Sequence, residues 1–277
     1  MPPVAVRHWY IALLVLLVAT AWVFLFWVAP QPSMPGWLVD YTRFTYRLGQ
    51  RLWSSVGYLW LWAGLSLVLG VMAPLGIAAL LGRRPTQLGL AWPNVLGRRI
   101  IAVGYVLALP FLVIVGGQPA FQQYYRPYLQ GDAWVILVQF ELVLFAEQFF
   151  FQGFLLAFLL PGSAFPPEEP PPPQGGGRWL RLLRWVGLAR ATSGKRGLEQ
   201  VLAWLGLDRP AALAILLQSI PFLLVHLGKA PVEFIASFPG GFLFGYIAYR
   251  ARSFLPVLLL HTLTGGTLLL VVWRNLR

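Results

Sequence analysis

The sequence predicts an all-α, polytopic transmembrane helical bundle of about seven spans. Composition is the first observation behind this. The 277 residues are 58% hydrophobic and 11% charged, with a mean hydropathy of +0.69, whereas an average soluble domain is about 25% charged. The second is that apolar runs recur along the chain, each long enough at 1.5 Å per residue to cross or nearly cross the hydrocarbon core. The third is the supply of 13 Trp and 10 Tyr, whose amphipathic rings collect at headgroup level.

The runs fall at 8–29, 53–82, 100–117, 133–160, 210–228, 232–249 and 254–274. Trp9 to Val28 is longer than a signal-peptide core and lacks an evident small-residue cleavage site after it, so it reads as a retained first span. The N-terminus and the second, fourth and sixth loops hold 14 of the 21 Lys and Arg residues. The positive-inside rule therefore puts the N-terminus in the cytoplasm, and an odd span count puts the C-terminus outside. The expected location is a prokaryotic plasma membrane. No internal repeat is evident, which weakens a transporter reading.

Residues 1–132 are expected to form N-terminal transmembrane helices, and 133–277 a core interrupted by a loop at 161–209. Within that loop, PPEEPPPPQGGG (166–177) excludes helix. Residues 178–190 follow. Arg178, Arg181 and Arg184 share one flank, and Trp179, Leu182, Leu183 and Val186 take the opposite one. That pattern predicts a helix lying in the interface against anionic headgroups, although a partner-binding helix has the same signature. The formal charge of +12 is read the same way, as topology and lipid attraction, and no nucleic-acid partner is expected. The absence of cysteine removes disulfides, thiol nucleophiles and thiolate metal sites.

Chemistry has few places to reside. Glu147 lies inside the apolar run 135–160, where a charged carboxylate costs about 3 kcal/mol or more. On an ideal helix, Glu141, Gln148 and Gln152 fall on one stripe and Glu147 lies about 100° from Gln148. This polar sector must face protein or a water-filled cavity. An inter-helix hydrogen-bond cluster with an inert, protonated Glu147 satisfies the same pattern. His226 ends the fifth run, where a lone histidine often serves as a cap or packing residue. His261 lies eight residues into the last run, where its imidazole needs a polar partner.

Taken in order, Glu147-Gln148-x3-Gln152, Phe222-x3-His226 and His261-x3-Gly265 resemble the three motifs of the CPBP family of intramembrane proteases. That family comprises CAAX proteases and bacteriocin-processing enzymes. Its motifs are Glu-Glu-x3-Arg, Phe-x3-His and His-x3-Asn/Asp, and the resemblance spans roughly 140–270. It implies an intramembrane peptidase acting near a membrane-embedded or lipidated segment. It assigns Glu147 as the general base, His226 as its water-positioning partner and His261 as the oxyanion donor. A desolvated carboxylate suits a general base, and donors aimed at a developing oxyanion gain strength where water is scarce.

Three positions depart from the motifs. Gln148 and Gln152 replace an acid and a base, leaving an uncharged amide pair at i, i+4. Gly265 replaces the Asn and offers no side-chain donor, which leaves Thr264, a backbone N–H or a water as substitutes. Losing one such donor costs about 3 kcal/mol. A catalytically inactive homologue acting as scaffold, chaperone or subunit of a membrane complex is thus the alternative, and a proton-coupled carrier is a third reading. No cofactor is expected. A divalent metal, if present, would fall to Glu147, His226 and His261, but the HExxH spacing is absent. Seven simple spans also put His226 near the outer face and His261 nearer the inner one, so their meeting requires a dip around Gly228–Pro231 or strong helix tilt.

Overall fold

The computed structural model describes residue 17 and residues 57–126, 129, 133–161, 165, 177–185, 196–226 and 229–276. The expected first span (Leu17 apart), the proline-rich stretch up to residue 176 and the end of the amphipathic segment at 186–190 lie outside the described residues. So do Leu227 and Gly228. Among the described residues every regular element is helical.

The elements in chain order are α1 (Gly57–Leu67), a π-helical turn (Val68–Met72) and α2 (Ala73–Leu80), followed by α3 (Val95–Gly116), α4 (Pro119–Tyr125) and α5 (Ala133–Gln148). Next come a second π-helical stretch (Phe149–Leu155), α6 (Leu156–Leu159), α7 (Arg178–Trp185), α8 (Leu198–Leu205), α9 (Arg209–Leu224), α10 (Pro231–Ala251) and α11 (Leu255–Asn275). Among the described residues five helical spans are long and apolar enough to cross a membrane: Trp60–Leu80, Val95–Gly116, Val135–Leu159, Pro231–Ala251 and Leu255–Asn275. The chain is a multi-pass integral membrane protein.

One expected span takes a different form. Instead of a straight helix over 210–228, α8 and α9 meet at an 80° bend. Gly206, in the left-handed region at φ 72°, ends α8, and the Asp208 carboxylate caps α9 by accepting from the Ala211 N–H at 2.8 Å. The bend is fastened to the end of α10. Tyr246 donates to the Leu205 carbonyl at 3.0 Å, and Arg250 donates to the same oxygen. The sixteen residues of α9 rise only about 24 Å, short of a ~30 Å core. His226 lies just past its end, in the turn that follows.

Val135–Leu159 is the central element, with 89% of its hydropathy window buried against 17–39% in the other four spans. Its neighbours approach through small residues. Gly241 and Gly245 of α10 form a Gly-x3-Gly face against α9, where an added Cβ would lie 2.8 Å from the Phe222 ring and 2.5 Å from Gln218 Nε2 respectively. Between α3 and α11, Tyr105 and Thr267 share a hydroxyl hydrogen bond of 2.8 Å. At the start of α3, Asn94 caps the helix through the Gly97 N–H at 2.9 Å and donates to the Arg250 carbonyl at 3.1 Å, joining α3 to α10. These contacts fix the scaffold around the central span.

Candidate active site

The polar sector of the central span is buried, as the cost of lipid exposure requires. Glu147, Gln148 and Gln152 are at most 4% exposed. The ideal-helix stripe does not persist, however. The backbone changes to i→i+5 turns over Phe149–Leu155, immediately after Gln148. Gln152 is thereby turned away from Gln148 and pairs across the bundle, donating to Gln218 Oε1 of α9 at 3.3 Å. The expected amide pair along the helix is replaced by this inter-helix bond. Gln218 is itself anchored, donating to the Gly241 carbonyl at 2.6 Å and the Ile215 carbonyl at 3.2 Å.

Gln148 takes a different role. Its Nε2 lies 3.1 Å from Glu147 Oε1 and 2.8 Å from His261 Nδ1, and Glu147 Oε1 lies 3.8 Å from the same ring nitrogen. An ionised carboxylate only accepts, so the amide donates to it. The second amide hydrogen then points at Nδ1, which accepts it. A neutral His261 thus carries its proton on Nε2. Next to it, Thr262 donates to Glu141 Oε2 at 2.6 Å, so two polar contacts hold α11 against α5.

His226 has the opposite arrangement. Its Nδ1 lies 2.7 Å from the Phe222 carbonyl, an oxygen that only accepts, so Nδ1 carries the proton and Nε2 is left as an acceptor. The two histidines are linked by rings, not by a direct bond. Centroids step from His226 to Phe222 at 4.7 Å, to Phe244 at 6.0 Å and to His261 at 5.2 Å. The Lys229 ammonium acts electrostatically on Glu147, His226 and His261 alike. It forms a 2.8 Å ion pair with Glu233, which also accepts from Tyr125 at 2.9 Å. Lys229, adjacent to the second motif, drew no attention in the sequence because a loop lysine reads as a topology signal.

The structure gives the surroundings of two residues of the third motif. Thr264 is not free to replace the missing Asn, because its hydroxyl donates to the Leu260 and His261 carbonyls at 2.9 and 3.1 Å, as helical threonines commonly do. Gly265 makes room for packing: an added Cβ would lie 3.1 Å from the Phe140 ring of α5. Restoring the family residue with Gly265→Asn is therefore expected to lower stability by about 1–3 kcal/mol through overpacking. Adding Phe140→Ala should recover part of the overpacking loss. Thermal unfolding of the two single variants and the double variant measures this coupling.

No group of three His, Asp or Glu side chains fit to hold a metal occurs among the described residues, so Glu147, His226 and His261 do not close into a ligand set. The unpaired acceptors at the site are Gln148 Oε1 and Gln152 Oε1, both buried.

Residues 129–266, about half the chain, match the family of type II CAAX prenyl endopeptidase Rce1-like proteins. No curated protein and no solved structure matches the chain. The matched region contains the buried carboxylate, the amide that bridges it to His261, and His226 beyond the ring stack, on the helices of one membrane bundle or, for His226, in the turn that follows α9. Through residues 129–266 the chain belongs to the Rce1-like type II CAAX prenyl endopeptidase family, a group of membrane proteases within the CPBP class.

Proposed function

We propose that the chain is an intramembrane peptidase in which a water activated by Glu147 cleaves a peptide bond near a membrane-embedded or lipidated segment. The bridge from Glu147 through Gln148 to His261 is the observation that carries this reading. It holds the Glu147 carboxylate 3.8 Å from the imidazole of His261, whose proton the amide leaves on Nε2. In the reaction, the Glu147 carboxylate takes a proton from water as the water oxygen bonds to the peptide carbonyl carbon. The carbonyl oxygen becomes an oxyanion that the His261 Nε2–H can meet. Glu147 then returns its proton to the departing amine as the C–N bond breaks. His226 Nε2, left as an acceptor, suits a water O–H.

This assignment makes Gln148 a positioning residue. Gln148→Met would remove the donor that holds the His261 proton on Nε2, freeing the ring to shift its proton to Nδ1 and to turn from the oxyanion. Turnover is expected to fall by about 10²-fold, the scale of losing one oxyanion donor. Nitrogen-15 spectra of the three histidines should show the His261 resonances exchanging between the two tautomer patterns. Unchanged spectra would contradict the assignment.

The scaffold reading draws on the packing at Gly265. With Phe140 against it and Thr264 bonded to its own helix, the third motif supplies no side-chain donor beyond His261. That reading predicts that Glu147→Gln leaves the cellular role intact in a complementation assay.

The basic segment is proposed to lie on anionic headgroups. Over Arg178–Trp185, Trp179, Leu182 and Trp185 are exposed, while Arg99 stacks 4.9 Å over the Trp185 ring and so ties α7 to the start of α3. Leu182→Cys supplies a unique labelling site, since the chain has no cysteine. A spin label there should be more accessible to oxygen than to a water-soluble nickel chelate in anionic nanodiscs. The opposite order would place α7 in water.

A further inference from the structure

A second polar feature lies outside the Glu147 site. Gln139 of α5 is 2% exposed, and neither its Nε2 nor its Oε1 has a hydrogen-bond partner. Leaving both groups of a buried carboxamide unpaired costs about 1–3 kcal/mol for each. A chain does not hold such a group at an apolar site without a use or a compensation. Gln139 lines a cavity of about 40 Å³, whose other walls are Trp62, Tyr124, Tyr125, Ile136, Phe140, Leu269 and Lys229. That volume holds about three waters, or the few heavy atoms of one peptide unit.

The chemistry of the free groups narrows the occupant. A carboxamide with one open donor and one open acceptor side complements another planar group that carries both. A peptide bond is such a group, and the apolar walls suit its flanking side chains. The position agrees. Gln139 precedes Glu147 by eight residues, about 12 Å along an α-helix. An extended peptide covers that distance in three to four residues, at about 3.3 Å each. Lys229 connects the cavity to the second motif, lining the cavity while its backbone N–H donates to the His226 carbonyl at 3.2 Å.

We infer that the Gln139 cavity is a substrate subsite that receives a peptide group three to four residues from the bond held at Glu147, with the Gln139 amide pairing to both its N–H and its C=O. The register of this subsite rests on the peptidase reading; the recognition of a peptide group does not.

The test therefore uses binding, without turnover. The full-length protein carrying Glu147→Gln, in nanodiscs, is exposed to an acetylated, amidated tetraleucine containing one photoreactive leucine. Cross-linked residues are mapped by mass spectrometry. Three comparisons accompany it: an analogue with esters in place of the peptide N–H groups, a Gln139→Met variant and a photoreactive phospholipid. Labelling is expected at Trp62 and residues 136–140, falling about tenfold with the ester analogue, which loses one hydrogen bond, and about a hundredfold with Gln139→Met, which loses two. Tenfold corresponds to one hydrogen bond of about 1.4 kcal/mol. The ester arm needs no mutation, so it decides the question even if the variant fails to fold. Peptide labelling elsewhere only, labelling indifferent to both changes, or exclusive labelling by the phospholipid would each overturn the inference. Binding without cleavage by the wild-type chain would leave the subsite standing and end the peptidase reading.

Discussion

Glu147→Gln is expected to reduce peptide cleavage by about 10²–10⁴-fold, the usual contribution of a general base. The substitution keeps size and planarity. It also keeps an oxygen that can accept from Gln148, whose Nε2 lies 3.1 Å from Glu147 Oε1 in the wild type. The bundle should therefore survive while the proton acceptor is lost. Equal melting temperatures for variant and wild type, with product formation close to background, would separate catalysis from folding. Glu147→Ala is a less informative variant, because it also opens a void at a 4% exposed position and so mixes packing with chemistry.

The largest effect on stability is expected at Gly245. A Cβ there would lie 2.5 Å from Gln218 Nε2 and 3.2 Å from Ile215 Cγ2. Gln218 cannot swing aside freely, because it donates to the Gly241 carbonyl at 2.6 Å and accepts from Gln152 at 3.3 Å. Gly245→Val would therefore force α9 from α10 and break a buried network at once. A loss of about 3 kcal/mol or more follows from overpacking together with unpaired polar groups. The melting temperature should fall by roughly 10 °C. Gly240→Ala, with nothing within 4 Å of the added Cβ, is the control and should change stability by less than about 1 kcal/mol. Cleavage should also fail in Gly245→Val, since α9 carries the partner of Gln152 and leads directly into His226.

Much of the architecture was legible because membrane burial leaves a coarse signal. Spans such as 100–117, 232–249 and 254–274 are plain apolar runs, and the structure places helices there as Val95–Gly116, Pro231–Ala251 and Leu255–Asn275. The bend before α9 was not visible, because a continuous apolar run from 210 to 228 does not show that Arg250 and Tyr246 hold the Leu205 carbonyl at the end of the preceding helix. Burial of Glu147 followed from the cost of a carboxylate in lipid. The partners of the glutamines did not. Periodicity assumes 100° per residue, and the π-helical stretch at Phe149–Leu155 breaks that phase one residue after Gln148. It sends Gln152 to Gln218 and leaves Gln148 facing His261. Gly265 shows the same limit: as a letter it is a missing donor, whereas in the fold it is the space that Phe140 occupies.

The proposed site also explains why the first-motif departure need not abolish function. An acid at position 148 would present only acceptors to His261 Nδ1, whereas the amide presents a donor both to that nitrogen and to the Glu147 carboxylate. The substitution changes which nitrogen of His261 carries the proton without adding charge to a buried cluster.

The central claim is that Glu147 activates water against a peptide bond. It is tested most directly by incubating the purified full-length protein in nanodiscs with membrane-anchored peptides in ¹⁸O-water and analysing the products by mass spectrometry. Wild-type protein should yield cleaved fragments bearing one ¹⁸O in the newly formed carboxyl group, and Glu147→Gln should not. Equal ¹⁸O-labelled cleavage by both proteins, or intact peptides with the wild type, would contradict it.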